Sequence, residues 1–404
     1  MIAVTGLGAF CAAGDSAESL WQSTLAGKSH AVFESGERIF AVSRAPEIAR
    51  ELPKILRNSD RCARLAFVAA EQALRQAGLT AEVDPERIGL ALGTSRGPIE
   101  KLESGFVQSQ GTRIKPTALI SASFGSLGGA IAQSFGLLGP TSVLSNTCAS
   151  ASAAISWAAD QILLGRADVM LAGGSDAPLT ASILAQLEAA GMTGHHTEAP
   201  EICRPFAEKR TGIVPGEGAG FLILESLDHA KKRGALPLAF LSGWSCGMDL
   251  AGRSDIDPEG SGLARTIRST LASAGLSAAD IDHINTHGTG TPQNDLGESR
   301  AIETVFGTDV PCVSIKPVTG HCMGASPALE AVVCVKALEN QILPPSRNST
   351  PRDPRCRIAI NTAPACRSLR HVLSNSSGLW GYHACLVFSS SAGIADCAGG
   401  GSII

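Results

Sequence analysis

Residues 149–164 read ASASAAISWAADQILL, with no polar face until Asp160 and Gln161. A helix of this composition has no side to give to water, so the fold must bury it nearly all round. It follows directly on a short β-branched run, TSVLSN at 141–146, with Thr147 and Cys148 at the junction. The small side chains of its first turns let other backbones come close. A strand feeding straight into a buried helix points to an α/β fold.

The same alternation runs along the whole chain. Short runs rich in Val, Ile and Leu predict strands at 2–8, 88–94, 141–146, 168–174 and 219–225, and again at 236–246, 281–286, 311–316, 369–375 and 383–389. Helical patterns intervene, among them 60–77 and 263–274. Five strands and five strands suggest two similar α/β halves packed together, 1–233 and 234–390, with the seam where KKRGALP breaks the chain. The last stretch, 391–404, has linker-like composition and reads as a flexible tail.

Composition narrows the function classes. With 44% hydrophobic and 17% charged residues and 44 glycines, the chain is compact and heavily buried. A net charge of −4 gives no global reason to expect nucleic acid. The start, MIAVTGLGAF, has neither a basic region nor a long apolar stretch, so neither a signal peptide nor a membrane span is expected. The twelve cysteines are scattered, without CxxC pairs or zinc spacing, which fits a reducing cytosol.

Cys148 is the first candidate for chemistry. A buried helix aims its free N–H groups and positive dipole end at the residue before it. Such a setting is expected to pull a thiol from its ordinary ~8.5 toward the roughly 3.5–7.5 range of activated cysteines. The competing reading is a buried structural cysteine. Two further glycine-rich segments carry histidines at the ends of predicted strands: INTHGTGTPQND with His287, and SIKPVTGHCMGASPALEAV with Lys316 and His321. The second repeats the strand, turn and apolar helix (327–338) seen around Cys148. If the halves stack as repeats, the two helix starts face each other, and one thiol, two imidazoles and an amine share a pocket. His30, His195, His196, His229 and His371 lack such a setting and read as surface or capping residues. A thiolate takes an acyl group as a thioester. Two neutral imidazoles can stabilise an enolate or shuttle protons. That set suits carbon–carbon bond formation driven by decarboxylation better than peptide hydrolysis.

These blocks, SNTCASA, NTHGTGTPQND and SIKPVTGHCMGA, resemble those of the β-ketoacyl-[acyl carrier protein] synthases of the elongating Cys-His-His type. The resemblance extends to VTGLGAFCAAGDSAESLWQSTLAGKS at 4–29, to CRPFAEKRTGIVPGEGAGFLILE at 203–225 and to SNSSGLWGYHACLVF at 374–388. It implies a thiolase-like fold, two similar halves each with a five-stranded mixed sheet, layered α-β-α-β-α. It implies Cys148 as the acyl acceptor and His287 and His321 as the decarboxylation pair. Lys316 would set the site's electrostatics, with Glu330 as its ion-pair partner. Thr289 and Thr291 would meet the phosphopantetheine arm, although turn chemistry alone could explain them. Gly378 and Leu379 would line the acyl site, the backbone of Leu379 joining that of Cys148 in an oxyanion hole. No cofactor is implied, since substrates ride on the phosphopantetheine of an acyl carrier protein. Expected partners are that carrier, met by a basic patch of Arg57, Arg61 and Arg64, and a second ketosynthase-like subunit in a homodimer or heterodimer, with no nucleic acid or membrane.

The chain also departs from the pattern. Where the family's loop reads NSFGFGGTN, this chain reads NSSGLWGYH. Leu379 replaces the gating aromatic, and Trp380 and Tyr382 bring bulk where small residues are expected. Thr211 stands where aspartate is usual, and Pro327 where glycine is common. Such drift points to polyketide or polyene assembly rather than housekeeping fatty-acid synthesis. The alternative in a different class is a non-catalytic subunit that sets chain length, which would lack the cysteine. A nucleotide-binding oxidoreductase fails on the missing third glycine after VTGLGAF. A thiolase fails on the missing second cysteine near Gly381.

Overall fold

The computed structural model describes residues 1–35, 38–79, 83–109, 114, 116–250, 252 and 257–391. The expected tail therefore lies almost wholly outside the described residues. Ten principal strands are numbered here in chain order. The first five are β1 (Ile2–Cys11), β2 (Ile88–Gly93), β3 (Thr141–Leu144), β4 (Val169–Asp176) and β5 (Gly218–Ser226). The second five are β6 (Ala239–Met248), β7 (His283–Asn285), β8 (Pro311–Val313), β9 (His371–Gly378) and β10 (Tyr382–Ser389). Each falls on a predicted run.

Pairing exposes a duplication that residue identity does not. In the first half, β3, β2 and β4 run parallel, then β5 and β1 follow antiparallel. In the second half, β8, β7 and β9 run parallel, then β10 and β6 follow antiparallel. The order and sense are the same strand for strand. The two five-stranded sheets are not separate, however. Ile2–Val4 of β1 pair with Ala239–Leu241 of β6, and a two-residue strand at Ala359–Ile360 adds to the far edge, giving one sheet of eleven strands. Both central strands begin with apolar residues buried on either face, so the ladders have no solvent side at which to stop.

Five helices matter for the site: α1 (Arg61–Ala77), α2 (Ser150–Leu163), α3 (Ser261–Ala274), α4 (Pro292–Phe306) and α5 (Ser326–Asn340). The α2 and α5 helices touch each other and strands of both halves, forming the middle layer, while α1 and α3 cover opposite outer faces. This is the expected α-β-α-β-α layering. Twelve of the fifteen α5 residues are buried. Each fully buried Val or Leu among them contributes roughly 1.5–3 kcal/mol. The close approach that the small α2 residues allow is made at Gly93. A Cβ there would lie 2.4 Å from the Ala151 nitrogen and the Ser150 backbone, so strand and helix touch main chain to main chain. Pro327 is explained too, because it sits in the first turn of α5, where no backbone N–H is required.

Candidate active site

The Cys148 corner is built by its own sequence. After β3 the chain makes a tight turn of 3-10 helix at Thr147–Ala149, with Thr147 in the left-handed region at φ +50°, before α2 begins. Ser150 fixes that turn: its hydroxyl accepts from the Asn146 N–H at 2.9 Å and donates to the Thr147 carbonyl at 2.6 Å. Gly378, at the end of β9, backs directly onto it, since a Cβ at 378 would lie 3.1 Å from the Cys148 nitrogen. The Thr147 hydroxyl donates to the Leu379 carbonyl at 3.3 Å, tying the C-terminal loop to the cysteine turn.

The second half supplies the partners. Lys316 opens a short helical turn, Lys316–Thr319, rather than ending a strand as expected. Both it and Glu330 of α5 are fully buried, and their side chains form an ion pair. The Lys316 ammonium also donates to the His287 carbonyl and lies 3.3 Å from His287 Nδ1. An ammonium can only donate, so Nδ1 accepts and the His287 proton resides on Nε2. The His287 and His321 rings meet edge to face with centroids 5.4 Å apart. His321 Nδ1 is 3.1 Å from the Ser326 hydroxyl at the head of α5. Burial, reinforced by the Lys316 charge, pushes both histidines well below the ordinary imidazole range, so both are neutral.

Cys148, His287, His321, Thr289, Thr291, Gly378 and Leu379 all line one cavity of about 300 Å³. Thr289 and Thr291 hydroxyls lie 2.9 Å apart, and Thr289 accepts from the Thr291 N–H at 3.2 Å, so turn chemistry and a place on the wall coexist. Lys316 and Glu330 lie behind the wall.

Two family models match the chain, one described as "Beta-ketoacyl synthase, N-terminal domain" over residues 1–230 and one as "Beta-ketoacyl synthase, C-terminal domain" over residues 238–350. The chain belongs to the β-ketoacyl synthase family. This synthase is 37% identical to nodulation protein E of Rhizobium sp. (strain N33), over 96% of this chain and 98% of the relative. Two solved structures, each with TM-score 0.89 and 29% identity over 96% of this chain and 98% of theirs, are similar throughout. One is a type II PKS acyl-carrier protein in complex with its ketosynthase bound to the hexaketide, and the other is the ishigamide ketosynthase/chain length factor. The synthase is a condensing enzyme of the acyltransferase class, with the thiolase-type architecture the sequence implied.

Some expectations need correction. Burial pushes the Cys148 thiol up to about 11, with Lys316 and Arg96 pulling it down and Asp176 and Glu330 adding to the rise. Loss of water outweighs the pull of these two cations, so the synthase rests with a neutral thiol. Arg61 is no surface residue. It is buried, and its guanidinium holds the Glu217 carboxylate at 2.7 and 2.9 Å, leaving Arg57 and Arg64 of the expected patch. His371 is buried as well, 2.8 Å from the Ser389 hydroxyl. Trp380 does not fill the cavity: at φ +68° it turns outward and is 54% exposed, while Tyr382 lines a neighbouring cavity.

Three supporting carboxylates escaped the sequence reading. Glu298 of α4 accepts from the His287 and Gly288 N–H groups at 2.6 and 2.8 Å, and burial lifts it to about 7. Asp295 accepts from the Thr289 and Gly290 N–H groups, and from Phe206 at 2.8 Å, shaping the HGTGT turn. Asp176, at the end of β4, accepts from the Ser95, Arg96 and Gly324 N–H groups and the Thr94 hydroxyl. An acidic residue in the first two turns after a glycine-rich loop was the available signal for the first two. Asp176 had none.

Proposed function

We propose that Cys148 accepts an acyl chain as a thioester and that His287 and His321 then drive decarboxylative condensation with a malonyl thioester. The observation that carries this is the convergence of the thiol and two neutral imidazoles on one cavity, with the Lys316–Glu330 pair behind His287. Neutral imidazoles can donate N–H bonds to the carbonyl that becomes an enolate, and they add no charge that would hold the malonyl carboxylate back. Loss of CO₂ leaves the electron pair on carbon, which attacks the Cys148 thioester and expels the sulfur. Lys316 keeps the His287 proton on Nε2, and backbone N–H groups of Cys148 and Leu379 receive the oxyanion. The chemistry asks for no metal or organic cofactor of the enzyme's own.

Substrates arrive on the phosphopantetheine of an acyl carrier protein, for which Thr289 and Thr291 offer hydroxyls on the cavity wall. A ketosynthase-like second subunit completes the assembly. The edge strand β3 ends the sheet, and Phe106, Val107, Leu119 and Ile120 are 68–85% exposed on the segment before it. An open edge, with apolar side chains exposed on the segment leading to it, fits a subunit that continues the sheet. We place the enzyme in the cytosol, in keeping with eleven free thiols among the described residues, and in polyketide-type assembly, in keeping with its likeness to a type II PKS ketosynthase. Mass spectrometry after incubation with acyl-carrier thioesters tests the reading. The expected result is acylation mapping to Cys148, with condensation lost in His287→Ala and His321→Ala. No adduct at Cys148 from any acyl donor would end it.

A further inference from the structure

Two residues of the NSSGLWGYH loop, Ser377 and His383, face each other as a cross-strand pair of the β9–β10 hairpin. The Ser377 hydroxyl is 3.0 Å from His383 Nδ1, and His383 Nε2 is 3.0 Å from the Asp249 carboxylate. All three residues are buried. Ser377 lines the cavity that holds Cys148. The space for this chain of bonds is made by glycine: a Cβ at Gly262 would lie 2.4 Å from the Asp249 Cβ, and one at Gly381 2.5 Å from the Asp249 carboxylate.

A carboxylate can only accept, so Asp249 holds the imidazole proton on Nε2 and leaves the Nδ1 lone pair for the serine proton. Burial pushes His383 below the ordinary imidazole range, which keeps that lone pair free near neutral pH. Nucleophile, base and orienting carboxylate stand in the arrangement that defines a hydrolytic serine, which is recognised by geometry and not by chain order. None of the three takes part in the condensation proposed above.

We propose that Ser377 is a second acyl-accepting nucleophile, with His383 as its base and Asp249 as a positioning residue, and that it hydrolyses acyl thioesters bound in the shared cavity. The Ser377 proton passes to His383 Nδ1 as Oγ attacks the thioester carbonyl. The C–S bond breaks, and the departing thiol takes the proton from Nδ1. Water then gives a proton to the same nitrogen as its oxygen attacks the acyl carbon, the bond to Oγ breaks, Oγ takes that proton from Nδ1, and the carboxylic acid leaves with serine and imidazole restored. The activity does not depend on Cys148, so it stands or falls apart from the condensation.

A fluorophosphonate probe on the unaltered protein, with the adduct located by peptide fragmentation, is the first test. Labelling of Ser377 is expected. In a Cys148→Ala background, hydrolysis of an acyl N-acetylcysteamine thioester is expected to fall by about a hundredfold on adding Ser377→Ala or His383→Asn. Asp249→Asn should slow the labelling and move its pH midpoint, a shift that a purely structural carboxylate would not produce. Absence of an adduct on Ser377, or hydrolysis by Cys148→Ala that is indifferent to His383→Asn, overturns the proposal.

Discussion

Replacing Gly378 by alanine adds one methyl group at the point where the two halves meet, and its effect follows from distances. The new Cβ would sit 2.0 Å from Thr147 Oγ1, against an ordinary contact of 3.4 Å, so the gap must open by 3.4 − 2.0 = 1.4 Å. Two more neighbours, the Asn146 carbonyl and the Cys148 nitrogen, are at 3.1 Å and belong to backbone that cannot swing away. Thr147 has little room to yield, because it is β-branched, already at φ +50°, and bonded to the Leu379 carbonyl. Overpacking of this kind costs about 1–3 kcal/mol of stability. The larger effect falls on function, since a displacement of about 1 Å at a reacting group can cost on the order of 10²-fold in rate. Acylation of Cys148, followed by intact-mass spectrometry, should therefore slow by about two orders of magnitude in Gly378→Ala. Adding Thr147→Ala removes the oxygen responsible for the closest clash and should recover about tenfold of the loss, the remainder reflecting the two backbone contacts. A Gly378→Ala protein acylated as fast as the wild type, or a double variant no faster than the single, would refute the reasoning.

Three further outcomes follow from the same site. Lys316→Met leaves the Glu330 carboxylate buried without its partner, which should cost about 3–5 kcal/mol in urea unfolding, whereas Lys316→Met with Glu330→Leu should regain most of it; equal stability of the single variant and wild type would deny the pair its role. With the Cys148 thiol at about 11, carbamoylmethylation should speed up about tenfold per pH unit from neutrality upward, and a plateau below about pH 9 would show an activated thiolate instead. His287 and His321 have folded values below the ordinary 6.5, so they gain protons only in more acidic solution; malonyl decarboxylation should be level from about pH 8 down to about pH 6, and a fall centred on the ordinary imidazole value would contradict their neutrality.

What was legible in the sequence was whatever lies close along the chain. Period and composition placed all ten strands, because buried strands are short apolar runs whatever their neighbours. The strand, turn and apolar helix around Cys148 and around His321 read as a repeat, and the structure brings the two turns into contact. Lys316 was misplaced on a strand although Pro317 marked the first turn of a helix. Partners far along the chain were another matter. Arg61 looked like a surface residue at a helix start because its partner Glu217 lies 156 positions away. His383 was passed over inside an apolar strand, since Asp249 is 134 positions away and no spacing rule joins them. The raised Cys148 thiol has a related cause: the helix start is local and visible in the sequence, whereas the desolvation comes from layers assembled out of both halves.

The repeat also accounts for why one half carries the nucleophile and the other does not. Thr147, Cys148 and Ala149 form a 3-10 turn opening at φ +50° into α2, and Met323, Gly324 and Ala325 form one opening at φ +47° into α5. Gly324 therefore occupies the place in its half that Cys148 occupies in the other. A Cβ at 324 would meet the Ser95 nitrogen at 2.5 Å and the Asp176 carboxylate at 2.8 Å, and the Gly324 N–H itself donates to Asp176 at 2.7 Å. That corner is filled by β4 and by the turn after β2, so it has no room for a side chain and offers only a backbone clamp. The equivalent corner in the first half looks out on the cavity, because Gly378 ends β9 without a side chain to fill it. One device used twice thus yields a reactive thiol on one side and a rigid support on the other. What separates them is the space each neighbouring strand end leaves.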